Sequence, residues 1–242
     1  YANGDVYIGE FALGVFSGKG VYRGINSYVY TGEFKDNKPN GKGAIRYKNG
    51  TFYVGEVKDW EPSGRGGFLY EDGTVNIGLV SDGELNGYGH ILYASGDTYA
   101  GQLENSAPMG AGIYTFTKTG ERQIGFHKGN EFVSEDLSLE ASILENAGDY
   151  TYTQALNGMI SYQNSFEEEG NVAFYKFPDG RLYFGYLSEA APDVLGVFGT
   201  FKQYYIGGFE NSTREGYGFM MIDELLQFQG LFKDGEYTDV IK

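Results

Sequence analysis

The chain of 242 residues contains 39 Gly, 22 Tyr and 18 Phe but no Cys, a composition typical of short strands joined by tight turns. Without cysteine it has no disulfide framework, no thiol chemistry and no cysteine-based metal site. Its formal net charge of -15 disfavours nucleic acid and anionic membrane surfaces as partners, because both select for an excess of Lys and Arg.

An internal repeat of 23 residues organises the first half of the chain. It is marked by single glycines at a constant spacing: Gly9, Gly32, Gly55, Gly78 and Gly101. Two glycines separated by one residue recur at the same period, beginning with Gly18 and Gly20. Around each single glycine stands an aromatic-x-Gly-x-apolar motif, and the fourth copy has replaced the aromatic residue by Asn76. Five copies in step indicate a repeat protein, which buries surface between neighbouring units.

Each repeat is predicted to form one β-hairpin. Side chains alternate along a strand, so the aromatic residue, the glycine and the apolar residue of the motif share one face. The glycine leaves a gap over which the ring of a neighbouring strand can lie flat, so a side chain at Gly55 or Gly78 is expected to clash with that ring. A polar turn over residues 35–40 leads to the return strand 41–47, and a short Asn49-Gly50 turn closes the unit. We expect a long antiparallel meander, one layer thick, with one face partly open.

The repeat weakens in the middle of the chain and then returns. Residues 1–129 hold five clear copies and one degenerate copy, and residues 171–242 hold about three. Between them, residues 130–170 form an irregular insert, in which 134–148 are predicted to be a short helix. The apolar positions of that helix are Leu137, Ala141 and Leu144. The predicted fold class is all-β: an elongated antiparallel β-hairpin repeat sheet with a short helical insert.

The second copy, residues 30–50, is the basis of a family resemblance. It carries Tyr-x-Gly-Glu-Phe, a polar turn, Gly-Lys-Gly, an aromatic residue and Asn-Gly, and it resembles the MORN (membrane occupation and recognition nexus) repeat. The resemblance extends over residues 4–128 and 180–236. It implies an extended β-sheet scaffold of cytoskeletal, ciliary or junctional assemblies. MORN arrays also occur as non-catalytic regions of lipid kinases and protein methyltransferases, and some are linked to phosphoinositides.

The sequence offers no catalytic, cofactor-binding or metal site. The two histidines, His90 and His127, have no Cys or second His at a ligand spacing, and we expect both to be ordinary strand residues. The glycine-lysine loop at residues 18–24 lies between predicted strands and lacks the strand-to-helix transition of a phosphate-binding loop. The acidic run at 167–169 is expected to be a solvated loop. Three glutamates on the face opposite the glycines are also expected to stay in water: Glu10, Glu33 and Glu56. We therefore expect neither an enzyme nor a cofactor.

The aromatic face is the candidate binding surface, and stacking between hairpins is the other role open to its rings. The candidate partner-contacting residues are Tyr30, Tyr53, Tyr99, Tyr47, Tyr70 and Tyr93.

We expect a non-catalytic scaffold that joins a multi-subunit protein assembly through this sheet, in the cytoplasm and on the cytoskeleton or a cilium. A phosphoinositide-binding module and the regulatory repeat region of a larger kinase or methyltransferase are the alternatives, and a second copy of the chain is open as a partner. Because residues 1–5 read like the end of a preceding repeat, we also expect the chain to be a fragment of a longer protein.

Overall fold

The protein is almost entirely β-strand. The structure, a computed structural model, describes residues 3–25, 28–147, 150–154, 160–164, 171–188, 191–223 and 225–239. Within these residues the strands are β1 (Val6–Ala12), β2 (Val15–Arg23), β3 (Tyr28–Lys35), β4 (Lys38–Tyr47), β5 (Phe52–Lys58), β6 (Glu61–Leu69), β7 (Val75–Ser81), β8 (Glu84–Leu92), β9 (Thr98–Glu104), β10 (Ala107–Phe116), β11 (Glu121–Lys128), β12 (Glu131–Glu135), β13 (Tyr150–Gln154), β14 (Ile160–Asn164), β15 (Asn171–Lys176), β16 (Leu182–Ser188), β17 (Ala191–Gly199), β18 (Gln203–Glu210), β19 (Thr213–Ile222), β20 (Leu225–Lys233) and β21 (Glu236–Asp239). A turn of 3-10 helix (Leu137–Leu139) and helix α1 (Glu140–Ala147) stand between β12 and β13.

The strands form two antiparallel sheets in which each strand pairs with its neighbours in the chain. The first sheet runs in order from β1 to β12, and the second runs in order from β13 to β21. The hairpin-repeat fold and the short helix expected from the sequence are confirmed. Strand pairing extends further than expected, because β12, β13 and β14 lie within residues 130–170, which were predicted to be an irregular insert.

The hairpin turns are shorter than the sequence suggested. Asp36 and Asn37 alone join β3 to β4, and both have a left-handed φ (52° and 67°), as two-residue hairpin turns require. Strand pairing resumes at once between Lys35 and Lys38, so most of the predicted six-residue turn belongs to the strands. The Asn-Gly connection between β4 and β5 is the longer one and comprises residues 48–51.

The periodic glycines form a ladder across the first sheet. Gly43, for example, pairs with Gly32 on one side and with Gly55 on the other. The ring of Tyr53 lies over Gly55 and its partner Gly66, because a Cβ on Gly66 would meet the ring carbon Cζ at 2.7 Å. The covering ring therefore comes from the same strand as its glycine, two residues earlier, and not from a neighbouring strand as predicted.

The fourth repeat lacks this covering ring. Asn76 occupies the ring position, and a Cβ on Gly78 would meet backbone atoms at 3.0 Å and the Cδ2 atom of Leu85 at 3.1 Å. The predicted clash between a side chain at Gly78 and an overlying ring is therefore wrong, whereas the corresponding clash at Gly55 is present in the structure.

A β-bulge follows the glycine in the outgoing strand of the repeat. The register shifts between Gly32 and Phe34, and the carboxylate of Glu33 accepts the backbone N–H of Lys42 at 3.2 Å. The same contact recurs in other repeats: Glu10 with Lys19 (3.2 Å), Glu56 with Arg65 (3.0 Å) and Gln102 with Ala111 (2.9 Å). The glutamates expected only to face water thus satisfy backbone donors that the bulge leaves unpaired.

The two sheets pack face to face. Their common core is built from side chains that alternate with the aromatic repeat positions. The first sheet contributes Val21, Ala44, Phe52, Val54, Leu69, Val75, Ile77 and Leu92. The second sheet contributes Val172, Phe174, Leu182, Phe184, Tyr186, Leu195, Val197, Tyr204, Ile206 and Phe219. The predicted sheet of one layer is therefore wrong: each sheet has its inner face against the other and its aromatic repeat face on the outside.

Helix α1 covers a further part of the inner face of the first sheet, where it packs on β8, β9 and β10. Its buried residues are Ile143 and Ala147, which are one helical turn apart. The residues predicted to form its apolar face are exposed: Leu137, Ala141 and Leu144. Residue 148, the predicted end of the helix, lies outside the described residues.

Candidate binding surface

Three of the six candidate tyrosines are structural. Tyr30, Tyr53 and Tyr99 are fully buried, and burial raises the pKa of each hydroxyl well above its ordinary value. Each hydroxyl donates to the carbonyl oxygen three residues later: Tyr30 to Glu33 (2.8 Å), Tyr53 to Glu56 (2.6 Å) and Tyr99 to Gln102 (2.9 Å). The prediction that these three side chains contact a partner is wrong, because they are used to hold the glycine pair and the bulge of their own repeat.

The other three candidates form a row of part-exposed rings on the outer face of the first sheet. Tyr47, Tyr70 and Tyr93 pack on the buried tyrosines, and Tyr28 and Tyr114 belong to the same cluster. Burial raises the pKa of Tyr47 to about 12 and also raises the pKa of Tyr70 and of Tyr93. These side chains keep one side open to solvent, and their contact with a partner stays a prediction.

A cleft of about 310 Å³ interrupts this outer face beside Tyr93, Tyr114 and His127. His127 is buried, and desolvation lowers the pKa of its imidazole, so the ring is neutral near pH 7. The Nε2 atom of His127 and the hydroxyl of Tyr93 are buried polar atoms that bond to none of the described residues. The cleft is therefore a polar recess within an aromatic surface.

A larger cleft, the second-sheet groove, lies on the outer face of the second sheet and encloses about 1050 Å³. Strands β15 to β19 and the loops between them supply its apolar side chains: Tyr175, Phe177, Phe198, Tyr205, Phe209 and Met220. Its volume lies just above the roughly 300–1,000 Å³ typical of small-ligand pockets. The groove therefore has room for several side chains of a bound chain.

Two guanidinium groups line the second-sheet groove. Arg181 lies over two rings, 5.8 Å from the centroid of Phe177 and 5.5 Å from that of Phe198. Arg214 lies 5.7 Å from the centroid of the Tyr205 ring. Cation–π contacts of this kind hold a planar guanidinium against the aromatic surface. Among the described residues, Arg181 and Arg214 are the charged side chains that line the groove, in a chain whose formal net charge is -15, and Arg181 is paired with Asp179 beside it.

A third cleft, of about 400 Å³, lies between the two sheets. Its charged lining residues are Lys19, Lys42, Glu33, Glu210 and Glu215. The lining carries charges of both signs. This cleft therefore offers less charge selectivity than the second-sheet groove.

The histidines and acidic residues form no chemical site in the part of the chain that the structure describes. His90 is buried beneath α1, with its Nε2 atom 3.1 Å from the carbonyl oxygen of Ala147. Within the described ranges, no group of three or more His, Asp or Glu side chains is placed to hold a metal ion. The acidic run at 167–169 lies outside them. No helix in the described part of the chain is long and apolar enough to span a membrane.

Several of the repeat units match a family model. The model described as MORN repeat matches residues 7–27, 30–52, 77–98, 99–120 and 205–221. The chain contains five MORN repeats. The matched segments lie in both sheets, so the two layers are halves of one MORN array folded back on itself.

A search of curated proteins finds no match to this MORN array. Among solved structures, the TCP10 domain of Danio rerio CPAP, in complex with a peptide of Danio rerio STIL, is 12% identical with a TM-score of 0.33 and covers 83% of this chain and 93% of that chain. The SAS-4 (dCPAP) TCP domain of Drosophila melanogaster, in complex with a proline-rich motif of Ana2 (dSTIL), is 13% identical with a TM-score of 0.27 and covers 70% of this chain and 85% of that chain. At TM-scores this low, neither similarity supports a conclusion about this chain.

Sequence reasoning missed the second-sheet groove of the MORN array. Counted from the glycine ladder, Thr200 stands where the first sheet has Tyr47, so a ring is missing from the outer row at this point. Arg214 likewise stands where the first sheet has Pro39. A position-by-position alignment of the two halves of the array was the signal that would have revealed both changes.

Proposed function

We propose that this MORN-repeat chain is a non-catalytic docking protein that binds a segment of a partner protein in the second-sheet groove. The observation that carries the proposal is the groove itself, about 1050 Å³ lined by rings on the outer face of a sheet whose inner face is buried. Aromatic residues, Met and Arg are the residue types enriched in the cores of protein–protein interfaces. The surface stands on a packed two-layer core, the kind of support that precise recognition requires.

In this proposal the chain is a scaffold of a multi-subunit assembly in the cytoplasm, on the cytoskeleton or a cilium. Its MORN repeats support that setting by family analogy alone. The part-exposed row of Tyr47, Tyr70 and Tyr93 gives the scaffold a second contact surface on the other layer. Two partners bound to opposite outer faces would be held together through the core between the sheets.

Co-purification with a groove variant and a matched control tests the proposal. Phe177→Ser removes a ring of the groove, and Phe126→Ser removes an exposed ring (42% exposed) of the first sheet. We expect the tagged wild-type chain and the Phe126→Ser variant to recover the same proteins stoichiometrically, and the Phe177→Ser variant to lose at least one of them. Equal recovery by both variants, or no recovery by the wild type, would contradict docking in the groove. Membrane material released by higher salt would instead support the phosphoinositide alternative.

A further inference from the structure

The two arginines of the second-sheet groove differ in how their charges are satisfied. The Nε atom of Arg181 lies 2.7 Å from a carboxylate oxygen of Asp179, and both side chains are 52% exposed. An ion pair this exposed contributes little to the stability of the fold, and Arg181 can readily exchange Asp179 for another carboxylate. Among the described residues, Arg214 forms no ion pair with a carboxylate and contacts the Tyr205 and Phe232 rings instead. The groove therefore presents at least one guanidinium with donors to spare.

Both guanidinium groups are already held in place by rings. Because each lies over aromatic side chains, less side-chain entropy is lost when it forms a bidentate hydrogen bond to a carboxylate. Arg214 is only partly exposed, so the rings around it also lower the local polarity, which strengthens such a charge-assisted bond at this residue. The groove thus combines an apolar floor with two preorganised sites for anionic groups.

The charge of the rest of the chain selects against competing anions. With 33 Asp and Glu against 18 Lys and Arg, the chain as a whole repels extended anionic surfaces such as phosphoinositide membranes. A membrane would also contact much more of that surface than the two arginines neutralise. A flexible segment with few charges can instead enter the groove and place them beside Arg181 and Arg214.

We infer that the groove's occupant is an acidic protein segment in which Asp or Glu flanks aromatic or aliphatic side chains. The carboxylates pair with Arg214 and Arg181, and the apolar side chains pack on the rings of Phe177, Phe198 and Tyr205. This inference rests on the proposed docking function and deepens it by giving the chemical class of the partner.

Selection from a random dodecamer peptide library, displayed on phage and panned on the full chain, tests the inference. We expect the recovered peptides to be enriched in Asp and Glu next to aromatic or aliphatic residues. An Arg181→Gln, Arg214→Gln double variant should lose that enrichment, and Arg65→Gln, an exposed arginine of the first sheet, should keep it. Recovered peptides that are neutral or basic, or no enrichment on the wild type, would overturn the inference.

The most enriched peptide then provides a direct probe. Its fluorescence anisotropy should show binding at least tenfold weaker when its Asp and Glu are replaced by Asn and Gln, and affinity should fall as salt is raised. The single Arg181→Gln variant removes a half-exposed side chain, so it should remain folded and bind several-fold more weakly. Equal affinity of the charged and neutral peptides would refute an acidic peptide as occupant. Binding of phosphoinositide vesicles that depends on Arg214, without binding of any peptide, would refute it as well.

Comparison with the co-purification experiment separates this inference from the proposed function. If partners are lost from Phe177→Ser but retained by the double arginine variant, docking in the groove stands and the acidic occupant is excluded. If no variant changes the recovered partners, both statements fail.

Discussion

A methyl group at Gly55 is the sharpest test of how the repeat is held together. A Cβ at this position would lie 2.5 Å from the Cα atom of Gly66 and 2.6 Å from the Cζ atom of Tyr53. Tyr53 cannot simply move away, because its hydroxyl donates to the carbonyl oxygen of Glu56 at 2.6 Å. Gly55→Ala must therefore displace the ring, the backbone of the paired strand, or both.

The expected cost of Gly55→Ala follows from these contacts. Forcing an extra methyl group into a packed site costs about 1–3 kcal/mol, and losing the tyrosine hydrogen bond costs about 1 kcal/mol more. Removing a glycine restores about 0.4–1 kcal/mol by restricting the unfolded chain. We expect the free energy of unfolding to fall by about 1–3.6 kcal/mol, and the Tm by roughly 2–14 °C.

Gly78→Ala is the matched control, since this glycine belongs to the repeat that has Asn76 in place of the ring. Its Cβ would meet its nearest atoms at 3.0–3.1 Å, so small shifts suffice and the expected loss is within about 1 kcal/mol. Urea unfolding followed by circular dichroism measures both variants. A loss for Gly55→Ala no greater than that for Gly78→Ala would refute the role assigned to the ring over the glycine pair.

Three further predictions concern the bulge, the tyrosines and the core between the layers. Glu33→Gln should leave the free energy of unfolding nearly unchanged, as Gln102 serves the same bulge contact, whereas Glu33→Ala should lower it by about 1 kcal/mol in the same urea assay. Burial raises the pKa of Tyr47 to about 12, above the unfolded value of about 10, so the folded state keeps a proton that the unfolded state loses. The contribution of Tyr47 to stability is therefore complete below pH 10 and declines as pH rises towards 12. Urea unfolding followed by circular dichroism should show this decline, and a free energy of unfolding that stays constant from pH 10 to 12 would contradict it. Ile206→Ala, at a fully buried position between the sheets, should cost about 2–5 kcal/mol in a single urea transition, and a separate transition for each sheet would show that the layers are not one cooperative unit.

Much of the fold could be predicted from the periodic glycines. The constant spacing of Gly32 and Gly55 fixes the register, because a glycine column with rings on one face permits only one alignment of the strands. The two-residue turn at Asp36-Asn37 was harder to recognise, because Pro39 suggested that the strand had not yet begun.

The two-layer arrangement was available from the sequence but was missed. Val54 and Ile77 stand next to the aromatic motif positions and are apolar, so both faces of these strands are hydrophobic, which is the pattern of a strand covered on both sides. The face of α1 was also missed: Ile143 and Ala147 lie one helical turn apart, but Leu137 and Leu144 gave an equally good pattern in isolation. The contacts that decide between such patterns come from strands distant in the chain.

The candidate site was less predictable than the fold. A tyrosine within an aromatic motif can either contact a partner or be buried and stabilise its own repeat. The hydrogen bond from the Tyr53 hydroxyl to the carbonyl oxygen of Glu56 shows the second role, and this bond is visible only in the structure. The second-sheet groove is lined by a small residue, Thr200, next to rings from several strands. No local sequence motif indicates that a ring is missing at such a position.

The pairing of each strand with its chain neighbours has a consequence for how the molecule assembles during synthesis. In each sheet every ladder contact between described residues joins segments that are adjacent in the chain, so a new hairpin can dock on the preceding one as soon as it leaves the ribosome. Contact between the layers, such as the bond from the Thr31 hydroxyl to the carbonyl of Tyr217, has to wait for the second half of the array. We expect hydrogen exchange on ribosome-bound chains of increasing length to show ladder amides protected in chain order, with the core between the layers closing last.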